Sequence, residues 1–276
     1  MNELYTLGKK AKEAAATFGL IDTTTKNTLL QKVADSLVNK AGYLLSQNRK
    51  DLAKAREMGE TGAIMDRLAL SEQRIEDIAT GLKQIAQLED PLGEVMGMKR
   101  RPNGLVIGKK RVPLGVIGVI YESRPNVTAD VGGLCLKTGN VCLLRGGKEA
   151  FHSNRAIVEI FQDTLKAMKL DPGIIQLVND TSRDSALAMM KMNQYLDILI
   201  PRGGAGLIRS VVENSTVPVI ETGVGNCHVY VDDPCDLEMA RAIVVNAKTH
   251  RPGVCNAAES LLVHAGVADR AIPLIG

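Results

Sequence analysis

From residue 112 onward, short apolar runs alternate with stretches of helical periodicity, and this alternation constrains the fold more than any other feature of the sequence. The apolar runs are residues 116–120, 141–144, 174–178, 198–200 and 217–220, and the helical stretches are about 126–139, 149–169, 182–194 and 204–214. Short strands that alternate with helices of this length are typical of a parallel sheet covered by helices on both faces. The sequence therefore predicts an α/β fold with a doubly wound parallel sheet.

The segments before and after this pattern have a different character. Residues 1 to about 90 show helical spacing of leucine and alanine, with Asp22 and Ser71 at N-cap positions. Residues 94–101 and 105–111 are rich in charge and flank a Pro-Asn-Gly turn, which predicts a protruding β-hairpin. A strand at 227–231, a helix at about 236–248 and a strand at 260–264 follow the sheet.

Composition argues against several classes of function. The net charge is only +3, aromatic residues make up 3% of the chain and tryptophan is absent, which disfavours a nucleic-acid-binding surface. The polar N-terminus has no secretory signal, and no apolar run is as long as a membrane span. Five cysteines without a CxxC pair and four histidines without HxH or HxxxH spacing argue against a disulfide framework and a metal site. We therefore expect a protein of a reducing compartment, the cytoplasm by default.

Cys255 is the strongest candidate for chemistry from the residues alone. A thiol is the best side-chain nucleophile at neutral pH when its pKa is lowered. Cys255 follows Arg251 and a Pro-Gly break, and the small residues at 256–258 are suited to open a helix whose N-terminal dipole would favour a thiolate. The alternative is a buried structural cysteine, since free cysteine is among the most buried residue types. The local sequence leaves both interpretations open.

Four strand-to-helix turns are candidate sites, because ligands of open parallel sheets bind at the carboxyl ends of the strands. Asn126 is either a helix N-cap or a donor to a developing oxyanion. The turns at 145–148 and 202–206 are rich in glycine and contain cations, and each is either a phosphate cradle or a solvated loop. Glu221, at the end of the last apolar run, is either a general base or a solvated turn residue.

Taken together, the four turns and the downstream cysteine resemble the aldehyde dehydrogenase superfamily over essentially the whole chain. That family has a strand-end Asn, a Lys-rich turn, a Gly-rich helix start, a Glu-x-Gly-Gly turn and a Cys in this order, and the separation of 34 residues between Glu221 and Cys255 is similar to the family's. Five segments are similar to one branch, which reduces an acyl phosphate: YESRPNV (121–127), LLRGGKEA (143–150), IPRGGAGLI (200–208), ETGVGNCHVYVD (221–232) and HRPGVCNAAE (250–259).

The resemblance implies an NADPH-dependent reduction of L-glutamate 5-phosphate to the 5-semialdehyde, with release of phosphate. Cys255 would attack the acyl phosphate to form a thioester, and Asn126 and the backbone N–H of Cys255 would hold the oxyanion. The matching glutamate activates water in acid-forming relatives, which is unproductive in a reductase, so Glu221 is expected to orient the thiol or to act in the reverse reaction. Arg202 and Arg251 are candidates for binding the substrate's carboxylate or phosphate.

The turn at 145–148 predicts which nicotinamide cofactor is used. Most oxidising relatives place there a glutamate that binds the adenosine ribose, whereas this chain has cations, which favour a ribose 2′-phosphate and hence NADPH over NADH. The cofactor-binding residues that the resemblance implies are Arg145, Gly146, Gly147, Lys148, Gly203, Gly204 and Gly223. The expected domains are a cofactor-binding domain at 1–93 and 112–235, an oligomerisation hairpin at 94–111 and the start of an α/β catalytic domain at 236–276.

The length of the chain departs from the family pattern. Family members continue well past the nucleophile, whereas this sequence ends 21 residues after Cys255. We therefore expect a C-terminally truncated chain that is inactive alone, a homo-oligomer at full length, and functional coupling to glutamate 5-kinase, without nucleic-acid or membrane partners. The alternatives are another oxidoreductase of the aldehyde dehydrogenase type and a non-catalytic nucleotide-binding fragment.

Overall fold

The N-terminal part of the chain is helical, as the leucine and alanine spacing predicts. In the computed structural model, which describes residues 2–122, 124–223, 225–252 and 254–276, the helices are α1 (Asn2–Phe18), α2 (Thr23–Asn39), α3 (Ala41–Glu57), α4 (Ala63–Leu68) and α5 (Glu72–Gln87). Asp22 caps α2 by accepting the N–H of Thr25 at 2.9 Å, and Ser71 caps α5 by accepting the N–H of Arg74 at 3.1 Å. Both predicted N-caps are therefore confirmed. Ser123, Val224 and Gly253, which belong to three of the quoted motifs, lie outside the described residues.

The predicted hairpin is present. Strands β1 (Val95–Arg100) and β2 (Val106–Lys110) pair antiparallel, with Met98 opposite Gly108 and Lys99 opposite Ile107. Gly104 has a φ of 86° in the connecting turn, a conformation that glycine adopts without steric cost. Every residue of both strands is exposed, so the hairpin adds nothing to the hydrophobic core of this chain.

A four-stranded parallel sheet follows the hairpin. Its strands are β3 (Val116–Tyr121), β4 (Val141–Arg145), β5 (Ile175–Leu177) and β6 (Ile198–Arg202), in the spatial order β5-β4-β3-β6. The connecting α-helices are α6 (Pro125–Lys137), α7 (Phe151–Ala167), α8 (Arg183–Met189) and α9 (Ala205–Asn214). The order reverses between β3, which continues to β4 on one side, and β6, which adds on the other. Carboxyl ends of strands at such a reversal form a ligand-binding crevice in doubly wound folds.

One predicted strand is not formed. The run at 217–220 makes a single parallel bridge, between Val219 and Leu199, instead of a strand. Pro218 accepts the N–H of Leu199 at 2.8 Å, but its own nitrogen carries no hydrogen and cannot extend the ladder. Strand β6 is therefore the last full strand on this side of the sheet.

The C-terminal part of the chain forms a second compact unit, Thr222–Gly276, after the first unit, Met1–Glu221. It contains β7 (Cys227–Val231), α10 (Leu237–Thr249), β8 (Ala258–Val263) and α11 (Ala265–Ile275), the last of which the sequence analysis does not predict. Strands β7 and β8 pair in parallel, and both helices pack on them around a small core of Val231, Val244, Val267 and Ala271. Because β7 pairs with β8, it belongs to the second unit, and the predicted boundary at 235 lies too far towards the C-terminus.

Across the described residues, no helix combines the length and the apolar character that a membrane crossing requires.

Candidate functional site

The first strand-to-helix turn rests on a buried hydrogen-bond chain. The hydroxyls of Tyr121 and Thr128 are 2.7 Å apart, and Thr128 donates to the side-chain oxygen of Asn154 at 2.8 Å. Because the single hydroxyl hydrogen of Thr128 goes to Asn154, Tyr121 is the donor to Thr128. Burial raises the pKa of Tyr121, so it stays a neutral donor. These two hydrogen bonds join the end of β3 to helices α6 and α7.

Gly146, in the second turn, lies directly against this chain. A Cβ at position 146 would lie 2.3 Å from Nδ2 of Asn154 and 3.2 Å from the ring and hydroxyl of Tyr121. Only glycine fits there without displacing buried groups. The glycine that the sequence analysis assigns to phosphate binding is thus required, at the least, by the packing behind the turn.

Arg145 is held by backbone carbonyls. Its Nη2 donates to the oxygens of Thr181 at 2.6 Å and Ser182 at 2.8 Å, whereas its buried Nε has no hydrogen-bond partner among the described residues. Burial lowers the pKa of the guanidinium, and the carboxylates of Asp180 and Glu149 offset part of that effect. The side chain therefore fixes the turn before α8 and adds positive charge beside it.

A cleft of about 840 Å³ lies within the first unit, lined by the carboxyl ends of β3 and β4 with the turns that follow them, by the turn before α8, and by helices α8 and α9. The cleft has three kinds of polar lining: the cations Arg145, Lys148 and Arg183, the carboxylates Glu122 and Glu149, and the hydroxyls of Thr181, Ser182 and Ser210. Leu187, Met190 and Leu207 supply apolar surface. Concave sites that combine an apolar wall with a few converging polar groups are typical of cofactor sites.

The third turn is already bonded to a carboxylate from the first turn. Glu122 accepts the backbone N–H of Gly204, at the start of α9, at 2.9 Å. A Cβ at Gly203 would lie 2.6 Å from the same carboxylate oxygen, so a side chain there would displace the Glu122 carboxylate. The side chain of Arg202, at the end of β6, is exposed. The N–H that the sequence analysis offers to a phosphate is therefore bonded to the protein's own anion.

Asn126 does not cap its helix, so that interpretation is wrong. Arg124 is the N-cap and Pro125 occupies the first helical position, where its missing N–H costs nothing. Asn126 is exposed on the first turn of α6, and its Nδ2 donates to Oδ2 of Asp130 at 3.1 Å. One of its two side-chain N–H groups is therefore used by Asp130, and the other can serve a further acceptor.

Cys255 lies in the turn between α10 and β8, in the second unit, and its side chain is exposed. The interpretation as a buried structural cysteine is wrong; Cys135 and Cys142 are the buried thiols. The expected helix after Cys255 is also wrong, because residues from Ala258 onward extend into β8 and pair with β7.

The backbone carbonyl of Cys255 is contacted by residues at and just before the start of β7. The thiol of Cys227 donates to the carbonyl oxygen of Cys255 at 3.6 Å, and a Cβ at Gly225 would lie 2.3 Å from that oxygen. Gly225 thus allows the backbone at this position to approach the carbonyl of the candidate nucleophile closely. Gly223 has no such constraint, since a Cβ there would meet nothing within 4 Å.

Glu221 ends the first unit and Arg251 precedes the Cys255 turn, and both are exposed. That Asn126, Glu221 and Cys255 act in one site stays a prediction.

The turn before α8 is the part of the cleft that the sequence analysis missed. Asp180 accepts the N–H of Ser182 at 2.8 Å, and Ser182 is the N-cap of α8. Strand-end position and an Asp-Thr-Ser capping signal after residue 178 were sufficient to identify this turn. This turn leads into Arg183, which lines the cleft and belongs to none of the sequence motifs quoted above.

Comparison with known proteins places the chain among its relatives. Residues 5–275 match the model of the aldehyde dehydrogenase family. The chain is 56% identical over 276 residues to the gamma-glutamyl phosphate reductase of Carboxydothermus hydrogenoformans, covering all of this chain and 66% of that protein. It superposes on the gamma-glutamyl phosphate reductase of Thermotoga maritima with a TM-score of 0.90 at 45% identity, covering 99% of this chain and 66% of that one. For the reductase of Saccharomyces cerevisiae the TM-score is 0.74 at 30% identity, covering 100% and 69%. The chain thus spans about two thirds of the length of these relatives.

Proposed function

The chain belongs to the aldehyde dehydrogenase family, and from that premise we propose that it supplies the cofactor cleft and the nucleophile of an enzyme that reduces L-glutamate 5-phosphate to L-glutamate 5-semialdehyde with NADPH, the second step of proline biosynthesis from glutamate. The observation that carries the proposal is the cation-lined cleft at the strand ends. The identity with gamma-glutamyl phosphate reductases along the whole chain supports the choice of substrate.

The residues of the cleft fit NADPH. Lys148 and Arg183 are exposed cations in its lining, and Arg145 adds charge from the wall. A ribose 2′-phosphate is attracted by such a cluster, whereas the hydroxyl of NADH gains nothing from it. Gly146 and Gly147 are buried at the turn and let backbone approach the ligand. When bound, NADPH supplies the hydride for the reduction.

Gly203, Gly204 and Gly223 complete the proposed cofactor contacts as backbone positions. At Gly204 the contact requires the Glu122 carboxylate to turn away from the N–H it now accepts. Helix α9 would then offer that N–H to a cofactor phosphate.

The nucleophile in this proposal is the Cys255 thiolate. Its sulfur attacks the carbonyl carbon of the acyl phosphate, the bond from that carbon to the phosphate oxygen breaks, and inorganic phosphate leaves with the electron pair. The side-chain N–H of Asn126 and the backbone N–H of Cys255 stabilise the oxyanion in between. After reduction of the thioester, the thiohemiacetal releases the aldehyde and restores the thiol. Arg202 and Arg251 would bind the substrate's carboxylate or phosphate, and Glu221 would orient the thiol or act in the reverse reaction.

We also propose that the protein is a cytoplasmic homo-oligomer. The hairpin β1–β2 supports this, because both of its faces are exposed and carry apolar side chains. We propose functional coupling to glutamate 5-kinase because the acyl phosphate substrate is reactive and should be used soon after it is formed.

The test uses a chimera, defined as this chain joined to the part of the Carboxydothermus hydrogenoformans relative that it does not cover, because the chain spans 66% of that protein. Phosphate-dependent reduction of NADP⁺ in the presence of L-glutamate 5-semialdehyde is the expected result, abolished by Cys255→Ser and retained by the matched variant Cys135→Ser. Oxidation that proceeds without phosphate, or with coenzyme A in its place, would contradict the proposal.

A further inference from the structure

We propose that Asp130 is a positioning residue that orients the side-chain amide of Asn126. This rests on the proposed function, in which Asn126 stabilises the oxyanion formed when Cys255 attacks. Both side chains lie on α6, in the first unit.

Asn126 is not the N-cap of α6. Arg124 is the N-cap and makes no side-chain capping bond, and Pro125 takes the first helical position. Asn126 comes next, exposed to solvent, and Asp130 follows four residues later on the same face of the helix. The bond from Nδ2 of Asn126 to Oδ2 of Asp130, at 3.1 Å, is a contact at this spacing.

The chemistry of the acceptor determines which way the amide points. An ionised carboxylate only accepts hydrogen bonds, so it binds the NH₂ end of Asn126 and turns the carbonyl oxygen away. One of the two N–H groups is then used, and the other remains for a further acceptor. Without the carboxylate the amide is free to rotate by about 180°, which would present its oxygen in place of the donor.

The burial of Asp130 has two opposite consequences for this hydrogen bond. Asp130 is half-buried whereas Asn126 is exposed. Burial raises the pKa of Asp130, and the hydrogen bond from Asn126 offsets part of that rise by stabilising the ionised form. A charged acceptor shielded from water holds a donor more firmly than a neutral, solvated one. The pair therefore fixes a donor at the first turn of α6, where an oxyanion stabiliser is proposed.

The first experiment observes the orientation directly in this chain. The side-chain NH₂ signals of Asn126, identified by their loss in Asn126→Ser, are compared by ¹⁵N NMR in the wild type, Asp130→Leu and Asp130→Asn. We expect one downfield proton in the wild type, a shift to the position of a solvated amide in Asp130→Leu, and partial retention in Asp130→Asn, which keeps an acceptor oxygen. Asn126 signals that are the same in Asp130→Leu and the wild type would overturn the proposal.

A matched pair elsewhere gives the control. Gln73 donates to Asp77 at 3.1 Å with the same spacing on the exposed face of α5. Asp77→Leu should move the Gln73 side-chain signals and leave those of Asn126 in place. If Asp77→Leu moves the Asn126 signals as far as Asp130→Leu does, the shift is a general response to removing charge and the proposal fails.

The second experiment is a double-mutant cycle in the chimera. Removing an oxyanion donor costs on the order of 100-fold in kcat, so we expect that from Asn126→Ala and about tenfold from Asp130→Leu, with KM unchanged in both. The double variant should be no slower than Asn126→Ala, because Asp130 acts through Asn126. A tenfold loss that persists in the Asn126→Ala background would contradict a positioning role. If Asn126→Ala leaves kcat unchanged, the oxyanion role in the proposed function fails, and the NMR comparison still decides whether Asp130 orients the amide.

Discussion

Gly146 is the residue at which packing and the proposed ligand site make the same demand. A side chain there would overlap the buried amide of Asn154. We expect Gly146→Ala to lower the free energy of unfolding by about 1–3 kcal/mol, as overpacking of a core does. Denaturant unfolding followed by circular dichroism measures the change.

The control for this substitution is Gly81→Ala, in the interior of α5, where a Cβ would meet nothing within 4 Å. Alanine there removes backbone entropy from the unfolded chain and should raise stability by about 0.5–1 kcal/mol. Equal effects of the two substitutions would show that the contact at Gly146 does not matter.

Glu122 gives a second prediction at the residue scale. Its carboxylate lines the cleft and accepts the N–H of Gly204. In Glu122→Gln the cap oxygen remains but the like charge next to a phosphate is removed, so NADPH should bind about fivefold more tightly at low salt, and less so at high salt. Fluorescence titration of NADPH measures this, with Glu57→Gln on α3 as control. Weaker binding by Glu122→Gln would mean instead that the carboxylate contacts the cofactor.

At the scale of the elements, a buried ion pair ties α2 to the segment after α5. Lys26, 1% exposed, lies 2.5 Å from Asp90, which also accepts the hydroxyl of Thr23 at 2.6 Å and the N–H of Leu92 at 3.0 Å. Removing the carboxylate would leave a buried charge without its partner. We expect Asp90→Asn to cost about 3–5 kcal/mol, whereas Asp35→Asn, which breaks the exposed pair with Lys83, should cost less than about 1 kcal/mol.

The same pair predicts a dependence on pH. Burial by itself raises the pKa of Asp90, but the bonds from Lys26 and Thr23 outweigh it, and the pKa is lowered overall. A carboxyl with a lowered pKa contributes stability that is fully present above its unfolded pKa and lost as the pH falls through its folded pKa. The stability difference between the wild type and Asp90→Asn should therefore be constant above about pH 5 and shrink in more acidic solution. A difference that grows on acidification would contradict this.

The elements also show how far a single sequence leads. The runs at 116–120 and 141–144 are apolar throughout, and both are strands buried along their length up to Arg145. The run at 217–220 is also apolar, but Pro218 limits it to one bridge, which the apolar pattern alone does not reveal. Residues 256–258 were expected to open a helix, yet Ala258 already pairs with Cys227 of β7, more than 25 residues away in the chain. The strand predicted at 260–264 therefore begins two residues earlier than expected.

The candidate site was predictable to a similar degree. The turn rule located Arg145, Gly146 and Lys148, because strand-end positions follow from the alternation alone. It did not predict that Arg145 donates to the carbonyls of Thr181 and Ser182. These residues follow Arg145 by 36 and 37 positions, so the contact joins two distant turns. Nor did it show that the Asn126 amide meets Asp130 instead of the backbone.

At the scale of the whole molecule, the hairpin β1–β2 is a candidate surface for self-association because it exposes apolar side chains. Met98 is 65% and Ile107 is 54% exposed, on adjacent strands. If the hairpin mediates self-association, Met98→Glu with Ile107→Glu should weaken it more than tenfold, because charges would be buried against apolar surface. Sedimentation equilibrium measures this, with Leu20→Glu, an exposed leucine on another surface, as control. An unchanged mass distribution would exclude the hairpin as the interface.

The affinity of this chain for the two reduced cofactors tests most directly whether the cleft is an NADPH site. Fluorescence titration should give a Kd for NADPH at least about tenfold lower than for NADH, as expected for one charge-assisted phosphate contact or more. Lys148→Ala and Arg183→Ala should each reduce that preference, whereas Lys166→Ala, on the exposed face of α7, should leave it intact. Equal affinity for NADPH and NADH, or a preference that survives the loss of both Lys148 and Arg183, would contradict the account.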